Sequence, residues 1–310
     1  MTDISKPLRE RLKEGYCIRP DAVVEVLEAP DGTRKFLTEL ADGNRIESVL
    51  IPESGRLTLC VSSQAGCAMS CRFCMTAEGG LMRNLTLAEL AGQVFTARTL
   101  FKEGEKITNI VLMGMGEPLA NYDNVLRFIG VLTDGKGFGF SHNKVTLSTA
   151  GLIPELKRFA LEGNVNIAVS LNATTDPVRS RLMPINKKYP IAELLAALKE
   201  YTLGRREHIT IEYVLIKGVN DSLEDARRLV YMLIGIRCKV NLIVFNPYPG
   251  SEFASPDEKA MNDFWQVVKD AGYTVLIRFS KGSDIQAACG QLSGRYSVET
   301  PQKEVDREGS

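Results

Sequence analysis

The sequence predicts an α/β fold: a partial (β/α)6-type barrel with a small antiparallel β extension at its N-terminus. From residue 57 onward, short apolar runs alternate with amphipathic helical stretches, which is typical of βα units around a parallel sheet. Before residue 53, β-type runs are instead separated by the turn sequences "PDG" and "ADGN". Polar and sulfur-bearing residues follow the ends of successive apolar runs, where parallel barrels carry their chemistry.

The first 52 residues are predicted to form the extension. Residues 1–15 have a helical pattern, and the runs "AVVEVLEA", "TRKFLTEL" and "RIESVLI" predict an antiparallel meander over residues 22–52.

The barrel core is predicted over residues 53–295. Its strands are the runs "LTLCVS", "ITNIVLM", "KVTLST", "VNIAVSL", "HITIEYVLI", "KVNLIVF" and "YTVLIRF", and six or seven such units fit a full or partial barrel better than an open sheet. The polar tail, residues 296–310, predicts disorder.

Composition limits the classes of protein to which the chain can belong. Its 310 residues are 44% hydrophobic and 25% charged, which is ordinary for a globular protein. No apolar run approaches the roughly 18 to 20 residues of a transmembrane helix, and the charged start "MTDISKPLRERLKEG" lacks the core of a signal peptide. We therefore expect a cytoplasmic protein with no membrane partner, in which the 7 cysteines do not form a disulfide framework.

Three cysteines form the most specific motif, the C-x3-C-x2-C spacing of Cys67, Cys71 and Cys74 in "GCAMSCRFC". Thiolates select zinc or iron–sulfur clusters, and both usually take four ligands. A four-iron cluster held by three cysteines keeps one iron free for a substrate or cofactor. Zinc is the alternative, with Cys60 or Cys289 as the fourth ligand, but structural zinc sites usually pair two short knuckles and only one is present.

The cysteine spacing, with the aromatic Phe73 before the third cysteine, resembles the radical S-adenosylmethionine (SAM) superfamily. The resemblance implies one [4Fe-4S] cluster whose fourth iron is chelated by SAM. It extends over residues 1 to about 295, because seven strings stand in the order seen in the bacterial dual-specificity RNA methyltransferases: "CVSSQAGCAMSCRFC", "GMGEP", "LSTAG", "MPINKKYP", "IEYVLIKGVND", "NPYPG" and "AACGQL". We expect this chain to lack the small helical domain that usually precedes the matching segment in that family.

The family resemblance implies methylation of C2 of adenine, at adenine 2503 of 23S rRNA and adenine 37 of certain tRNAs, with two SAM molecules per turnover. Because C2 is electron-poor, direct transfer from the sulfonium of SAM is implausible and a methyl carrier is needed. By the resemblance, Cys289 is the carrier and Cys60 is the thiol that resolves the covalent intermediate through a transient disulfide. Glu47 matches the proton acceptor of the family. An external electron donor of the flavodoxin type and a monomeric state are also expected.

The resemblance further assigns SAM binding to seven positions along the strand ends: Gly116, Glu117, Ser148, Ser170, Leu171, Asn172 and Asn246. The string "GMGEP" lacks the third glycine of a dinucleotide-binding loop, and Glu117 would repel a pyrophosphate. A carboxylate there suits the amino group of SAM, although the string alone favours a tight turn with a solvated glutamate. Some relatives have His where this chain has Asn172, and both residues can donate a hydrogen bond.

The RNA base must leave its stack to reach a buried radical, so basic residues should contact phosphates near the mouth of the site. The candidates are Arg83, Arg179, Arg181, Lys187, Lys188, Arg205, Arg206 and His208. Cys17 and Cys238 are predicted to fill the core.

Two alternatives to C2 methylation remain open. One is the related antibiotic-resistance enzyme that methylates C8 of the same adenine and tends to have "GMGEA" where this chain has "GMGEP". The other is a zinc-stabilised RNA-binding protein without catalysis.

Overall fold

The computed structural model describes residues 4–15, 21–201, 203–204 and 208–294. The strands in this part of the chain are β1 (Ala22–Glu28), β2 (Arg34–Glu39), β3 (Arg45–Glu53), β4 (Arg56–Cys60), β5 (Gln64–Gly66), β6 (Leu81–Asn84), β7 (Asn109–Leu112), β8 (Val145–Thr149), β9 (Asn166–Ser170), β10 (Ile209–Leu215), β11 (Cys238–Val244) and β12 (Val275–Arg278). The α-helices are α1 (Lys6–Gly15), α2 (Leu87–Thr99), α3 (Tyr122–Thr133), α4 (Ile153–Glu162), α5 (Asp176–Leu182), α6 (Ile191–Lys199), α7 (Leu223–Met232) and α8 (Glu258–Asp270).

Ten of these strands form one sheet, in the order β1-β2-β3-β4-β7-β8-β9-β10-β11-β12. The pairs from β1 to β4 are antiparallel, and every pair from β4 to β12 is parallel. The predicted α/β fold with an antiparallel extension is therefore confirmed. Within the described residues β1 and β12 are the edges of this sheet, which is an open, partial barrel. β3 runs to Glu53 and pairs with β4, so the extension continues directly into the barrel sheet.

The helices and strands of the βα units have different sequence patterns because the helices are buried on one face and the strands on both. Helix α8 has Met261, Phe264 and Val268 on its buried face, at the spacing of an amphipathic helix. Helix α2 begins at a capping box, in which the Thr86 side chain accepts from the Glu89 N–H and the Glu89 carboxylate accepts from the Thr86 N–H. Between the helices, strands such as β9 and β10 are buried on both faces and read as nearly continuous apolar runs.

The core lies between the sheet and these helices and spans both parts of the chain, from Phe36 on β2 to Phe264 on α8. Cys238 is buried in this core, as predicted, whereas Cys17 and the 296–310 tail lie outside the described residues. Within the described ranges, no helix combines the length and apolar composition that crossing a bilayer requires.

Ser62, just after β4, joins the extension to the barrel through buried hydrogen bonds. Its hydroxyl donates to the Glu47 carbonyl at 2.6 Å and accepts from the Met115 N–H at 2.8 Å. The Gln93 side chain bonds to both the N–H and the carbonyl of Ser62 and also accepts from the Ser48 hydroxyl. Buried polar groups satisfied in this way fix the relative positions of β3, helix α2 and the loops that follow β4 and β7.

Candidate active site

A cavity lies over the carboxyl ends of the parallel strands, where the βα loops of a barrel place their chemistry. Its lining contains most of the predicted site residues: Cys67, Cys71, Cys74, Gly116, Glu117, Ser148, Ser170, Asn172 and Cys289. The remaining predicted residues, Glu47, Cys60, Leu171 and Asn246, lie outside this lining set.

The three-cysteine loop is fixed to its neighbours mainly by backbone hydrogen bonds. The Cys67 N–H donates to the Gly80 carbonyl at 2.8 Å, and the Met75 N–H donates to the Gly290 carbonyl at 2.7 Å. Phe73 lines the cavity and packs against an apolar cluster that includes Met183 and Tyr248.

The three thiols of this loop are soft ligands of the kind that bind iron–sulfur clusters. Among the described residues, no three His, Cys, Asp or Glu side chains converge on one point as a single ion requires. A cubane cluster binds each cysteine to a different iron, so its thiolates need not converge. Burial, with a smaller contribution from the neighbouring thiols, raises the pKa of Cys67 to about 12 and that of Cys71 well above its usual range. Bound iron would stabilise these thiolates, because a coordinating thiol is deprotonated.

Glu117 is buried at the tip of the loop after β7. Its carboxylate accepts from the Ala150 N–H at 2.7 Å and from the Leu119 N–H at 3.0 Å, so it joins the loops after β7 and β8. Burial raises the pKa of Glu117 to about 7, against these hydrogen bonds, which favour the charged form. The solvated glutamate that the string alone favoured is therefore wrong.

Gly116 allows the loop after β7 to pass close to the strand that precedes the cysteines. It has a φ of +96°, and a Cβ atom there would lie 2.5 Å from Cβ of Gln64. The Glu117 N–H donates to Oε1 of Gln64 at 2.8 Å, so the glycine lets this contact form.

Ser148 and Ser170 stand at the ends of β8 and β9, and Glu212 on β10 faces the same cavity. The Ser148 hydroxyl donates to the Glu212 carboxylate at 3.3 Å. Burial raises the pKa of Glu212, while Arg278 and the hydrogen bonds from Ser148 and Asn241 lower it. The sequence analysis missed Glu212. A lone charged residue inside the apolar run "HITIEYVLI" was the signal that could have identified it.

Asn172 has a φ of +56°, a conformation in which Asn and His are both enriched. This offers a backbone reason for both residue types at this position. Its side chain accepts from the Val214 N–H at 2.8 Å and donates to the Met183 sulfur. Leu171 is buried beside it, and its carbonyl accepts from Nε of Arg179 at 3.0 Å.

Cys289 is accessible from the cavity while protein atoms surround it on the other sides, and burial raises its pKa to about 11. The charge of Glu212 contributes to this raised pKa, whereas Arg278 acts to lower it. Asn246 holds this segment from β11: its Nδ2 donates to the Ser280 hydroxyl at 2.8 Å and lies 3.5 Å from the Cys289 carbonyl oxygen. Asn246 therefore contacts the segment that contains Cys289 and is not among the residues that line the cavity.

Cys60 ends β4 and is buried. Burial raises its pKa, and the nearby Cys289 thiol raises it further, which places the two predicted thiols within electrostatic reach of each other. Glu47 is 0% exposed. Its carboxylate lies 2.8 Å from Nζ of Lys35 and accepts from the N–H groups of Ser293 and Gly294 at 2.5 and 3.0 Å.

The predicted RNA contacts need two corrections. Arg179 is 1% exposed and donates to the carbonyls of Ala150, Ser170 and Leu171 and to the Asn186 side chain, so it organises the loops and faces no solvent. His208 is exposed, but it precedes β10 and therefore lies at the amino end of the sheet, away from the cavity.

The other basic candidates differ in their exposure and in their ion pairs. Arg83 pairs with Asp42 and with Glu89. Arg181, Lys187 and Lys188 are exposed, and Arg181 lies 3.4 Å from Glu252. Arg205 and Arg206 lie outside the described residues.

Comparison with known proteins fits this geometry. The radical SAM superfamily profile matches residues 61–230. The dual-specificity RNA methyltransferase RlmN of Desulfosudis oleivorans is 54% identical over 94% of this chain and 79% of its own length. The chain belongs to this family of radical SAM methyltransferases. RlmN of Geotalea uraniireducens is 52% identical over 95% of this chain and 85% of its own length.

Solved structures of radical SAM proteins have the same fold as this chain. A radical SAM methyltransferase from Sphaerobacter thermophilus has a TM-score of 0.89 at 43% identity, over 95% of this chain and 87% of its own. SuiB from Streptococcus suis has a TM-score of 0.52 at 14% identity, over 73% of this chain and 49% of its own, and shows the fold alone. Family membership makes the protein a SAM-dependent enzyme and excludes the non-catalytic zinc alternative.

Proposed function

We propose that this radical SAM enzyme methylates C2 of adenine in RNA, at adenine 2503 of 23S rRNA and adenine 37 of tRNA. One observation carries the proposal: Cys289 opens onto the cavity that is lined by the three cluster cysteines and by five of the seven predicted SAM-binding residues. A cluster and SAM alone would serve many radical reactions, whereas a thiol beside them provides the methyl carrier that the unreactive C2 atom requires. The name of the relatives, dual-specificity RNA methyltransferase, supports RNA as the substrate.

Cys67, Cys71 and Cys74 would hold one [4Fe-4S] cluster, whose electron cleaves SAM to the 5′-deoxyadenosyl radical. Glu117 would accept a hydrogen bond from the amino group of SAM, and Ser148, Ser170 and Asn172 would bond its other polar groups. Gly116 would act by letting the Glu117 N–H donate to the Gln64 side chain. Leu171 would act through its carbonyl, which accepts from Arg179, and Asn246 through its hydrogen bond to the Ser280 hydroxyl. Two SAM molecules are consumed in each turnover, one as the methyl donor and one as the radical source.

The first step that we assign to the chain is methyl transfer to Cys289. The thiolate attacks the methyl group of SAM, a carbon–sulfur bond forms at Cys289, and S-adenosylhomocysteine leaves. Because the pKa of Cys289 is raised to about 11, the thiol is protonated at neutral pH and needs a base. Glu212 faces the same cavity and is a suitable acceptor for this proton.

The later steps use both thiols. Transfer of a hydrogen atom from the S-methyl group to the 5′-deoxyadenosyl radical gives a carbon radical that adds to C2. The adduct then loses the C2 proton to a base and one electron, which the oxidised cluster would take back, and the base is left joined to Cys289. Attack of the Cys60 thiolate on the Cys289 sulfur then breaks the bond to the bridging carbon and forms a disulfide. The carbon takes up a proton to become the methyl group, and external reduction of the disulfide restores both thiols.

The C2 proton requires an acceptor, for which the family resemblance favours Glu47. Its position, buried and engaged by Lys35 and two backbone N–H groups, requires the carboxylate to exchange a partner before it can act. Glu212 lines the cavity without such movement and is the second candidate. Methylation by Glu47→Gln and Glu212→Gln, each compared at several pH values, separates them, because the true acceptor controls the pH dependence of the addition step.

We further propose an external electron donor of the flavodoxin type, a monomeric enzyme and a cytoplasmic location. The last follows from cysteines that must stay reduced between turnovers.

The direct test is to incubate the anaerobically purified enzyme with SAM, a reductant and unmethylated 23S rRNA or tRNA. Nucleosides from the digested RNA are then separated and weighed. We expect 2-methyladenosine from the wild type and none from Cys289→Ala, whereas Cys238→Ala, a buried cysteine at the amino end of β11, serves as the matched control. 8-methyladenosine would establish the C8 alternative, and absence of any methylated adenosine would contradict both.

A further inference from the structure

The segment that contains Cys289 is hydrogen-bonded to the antiparallel extension, and the first contact lies at the C-terminal end of the segment. One carboxylate oxygen of Glu47 on β3 accepts from the N–H groups of Ser293 and Gly294, at 2.5 and 3.0 Å. The other oxygen lies 2.8 Å from Nζ of Lys35 on β2, which also lies 3.4 Å from the Gln286 carbonyl. The β2–β3 hairpin thus contacts this segment on both sides of Cys289.

The beginning of the same segment is bonded to the extension as well. The Asp31 carboxylate, in the turn before β2, accepts from the Gly282 N–H at 3.1 Å. Nζ of Lys281 donates to the Pro52 carbonyl at 2.5 Å. At the far end, Gly294 has a φ of +68°, and a Cβ there would lie 2.9 Å from the Arg45 carbonyl oxygen. Residues 281–294 are therefore tied to the extension at both ends.

The Lys35–Glu47 pair is the buried part of this contact. Lys35 is 3% exposed and Glu47 is 0% exposed, and a buried charge is unfavourable unless it is paired and hydrogen-bonded. The strand register pairs Lys35 with Val49 and Leu37 with Glu47, so Lys35 and Glu47 are diagonal neighbours on one face of the sheet. Cys60 pairs with Val49 on the next strand, so the pair lies beside the resolving thiol.

We propose that the β2–β3 hairpin positions the Cys289 segment over the cavity, with Lys35 as the positioning residue. Lys35 holds the Glu47 carboxylate toward the N–H groups of Ser293 and Gly294, and these bonds keep residues 281–294 against the sheet. Cys289 is thereby kept between the cluster loop and Cys60. The consequence for methylation rests on the proposed function, whereas the holding of the segment does not.

The test is amide hydrogen exchange, read by mass spectrometry on the cluster-loaded enzyme, because exchange does not depend on the state of the Cys289 thiol. Lys35→Met removes the charge and keeps an apolar stem. Arg34→Met is the matched control, since Arg34 is a buried cation on the same strand that pairs with Glu105 and bonds to Leu100. Asp31→Asn, at an exposed turn, weakens the contact with Gly282 without burying an unpaired charge.

In Lys35→Met we expect residues 281–294 to exchange about 5- to 30-fold faster, with β9 and β10 unchanged. Asp31→Asn should accelerate exchange near Gly282, and Arg34→Met should leave the segment unchanged. Equal exchange in Lys35→Met and the wild type would overturn the proposal, as would an equal acceleration in Arg34→Met. If Lys35→Met does not load a cluster, Glu47→Gln on β3 decides, and unchanged exchange at Ser293 and Gly294 overturns the proposal.

RNA methylation by the same variants tests the functional consequence. In Lys35→Met, methyl transfer to Cys289 should fall together with the hydrogen-exchange protection of residues 281–294. Arg34→Met should retain methyl transfer. Faster exchange with wild-type methylation would overturn the positioning role. A wild-type enzyme that shows the protected segment but methylates no RNA would instead count against the proposed function.

Discussion

Glu117 and Glu212 are two carboxylates that line the cavity, and burial raises the pKa of both. Their surroundings differ: Glu117 accepts two backbone N–H groups beside the cysteine loop, whereas Glu212 bonds to Ser148 on the strands below. At the residue scale this separates a group suited to binding SAM from one suited to accepting a proton.

Binding of SAM should depend on the protonation of Glu117. The pKa of Glu117 is raised to about 7, so the carboxylate is charged above this pH and loses an acceptor below it. We expect SAM to bind the cluster-loaded enzyme more weakly as the pH falls from 8.5 to 6. Glu117→Gln should bind about tenfold more weakly at pH 8.5, since a hydrogen bond to a charged group contributes about 1.5 kcal/mol or more. Equilibrium dialysis measures both, and an equally steep pH dependence in Glu117→Gln would contradict the assignment.

Transfer of a methyl group to Cys289 should require Glu212. The charge of Glu212 raises the pKa of Cys289, so Glu212→Gln should lower that pKa and, by itself, favour the thiolate. If Glu212 accepts the thiol proton, the variant is nevertheless slower, by about 100-fold for the loss of a general base. The measurement is transfer of a labelled methyl group from SAM to the Cys289 peptide in a single turnover. The exposed Glu258→Gln on α8 is the control, and equal or faster transfer in Glu212→Gln would rule out this role.

At the scale of secondary-structure elements, the loop after β7 depends on Gly116. A Cβ at this position would meet Cβ of Gln64 at 2.5 Å, in a backbone conformation that side chains rarely adopt. Gly116→Ala should displace Glu117 and lower the affinity for SAM. Gly130→Ala, on helix α3 with nothing near its Cβ position, should bind SAM as the wild type does. Equal affinities for the two variants by equilibrium dialysis would contradict this account of the loop.

Arg179 should act on stability and not on RNA affinity. It is buried and donates to the carbonyls that end β9 and to the loop after β8, and hydrogen bonds to charged groups each contribute about 1.5 to 3 kcal/mol. Arg179→Met should lower the thermal unfolding midpoint of the cluster-loaded enzyme by several degrees, whereas the exposed Arg181→Met should change it little. An unchanged midpoint with weaker RNA binding in Arg179→Met would restore it as an RNA contact.

The strands were predictable because burial on both faces leaves apolar runs with clear ends, as in "VNIAVSL" for β9. The surroundings of individual charged side chains were not predictable. Nothing local shows that Arg179 points inward, because a charged residue is buried only when the fold supplies acceptors from distant loops. Lys35 was missed for the same reason, because tertiary structure brings its partner Glu47 to it. Glu212 did have a local signal, as the lone charge in an apolar strand, but its contact with Ser148 also depends on the fold.

For the whole molecule, an open parallel sheet places loops from successive strands around one cavity, and the antiparallel extension contacts the segment that returns to cover it. The cluster motif was evident from spacing alone. The pairing of Cys60 with Cys289 came from the family resemblance, because they stand 229 positions apart in the chain and spacing carries no information over that distance. The structure brings the Cys289 thiol close enough to Cys60 to raise the pKa of Cys60.

The central claim is that Cys289 carries the methyl group to RNA and that Cys60 releases the product. The most direct measurement is to express Cys60→Ala in cells, digest the purified protein with nuclease and protease, and weigh the peptide containing Cys289. We expect that peptide to carry a nucleotide joined through one additional carbon, because the covalent intermediate forms and cannot be resolved. Cys238→Ala should carry none. A Cys289 peptide in Cys60→Ala that is bare or only methylated would contradict the claim.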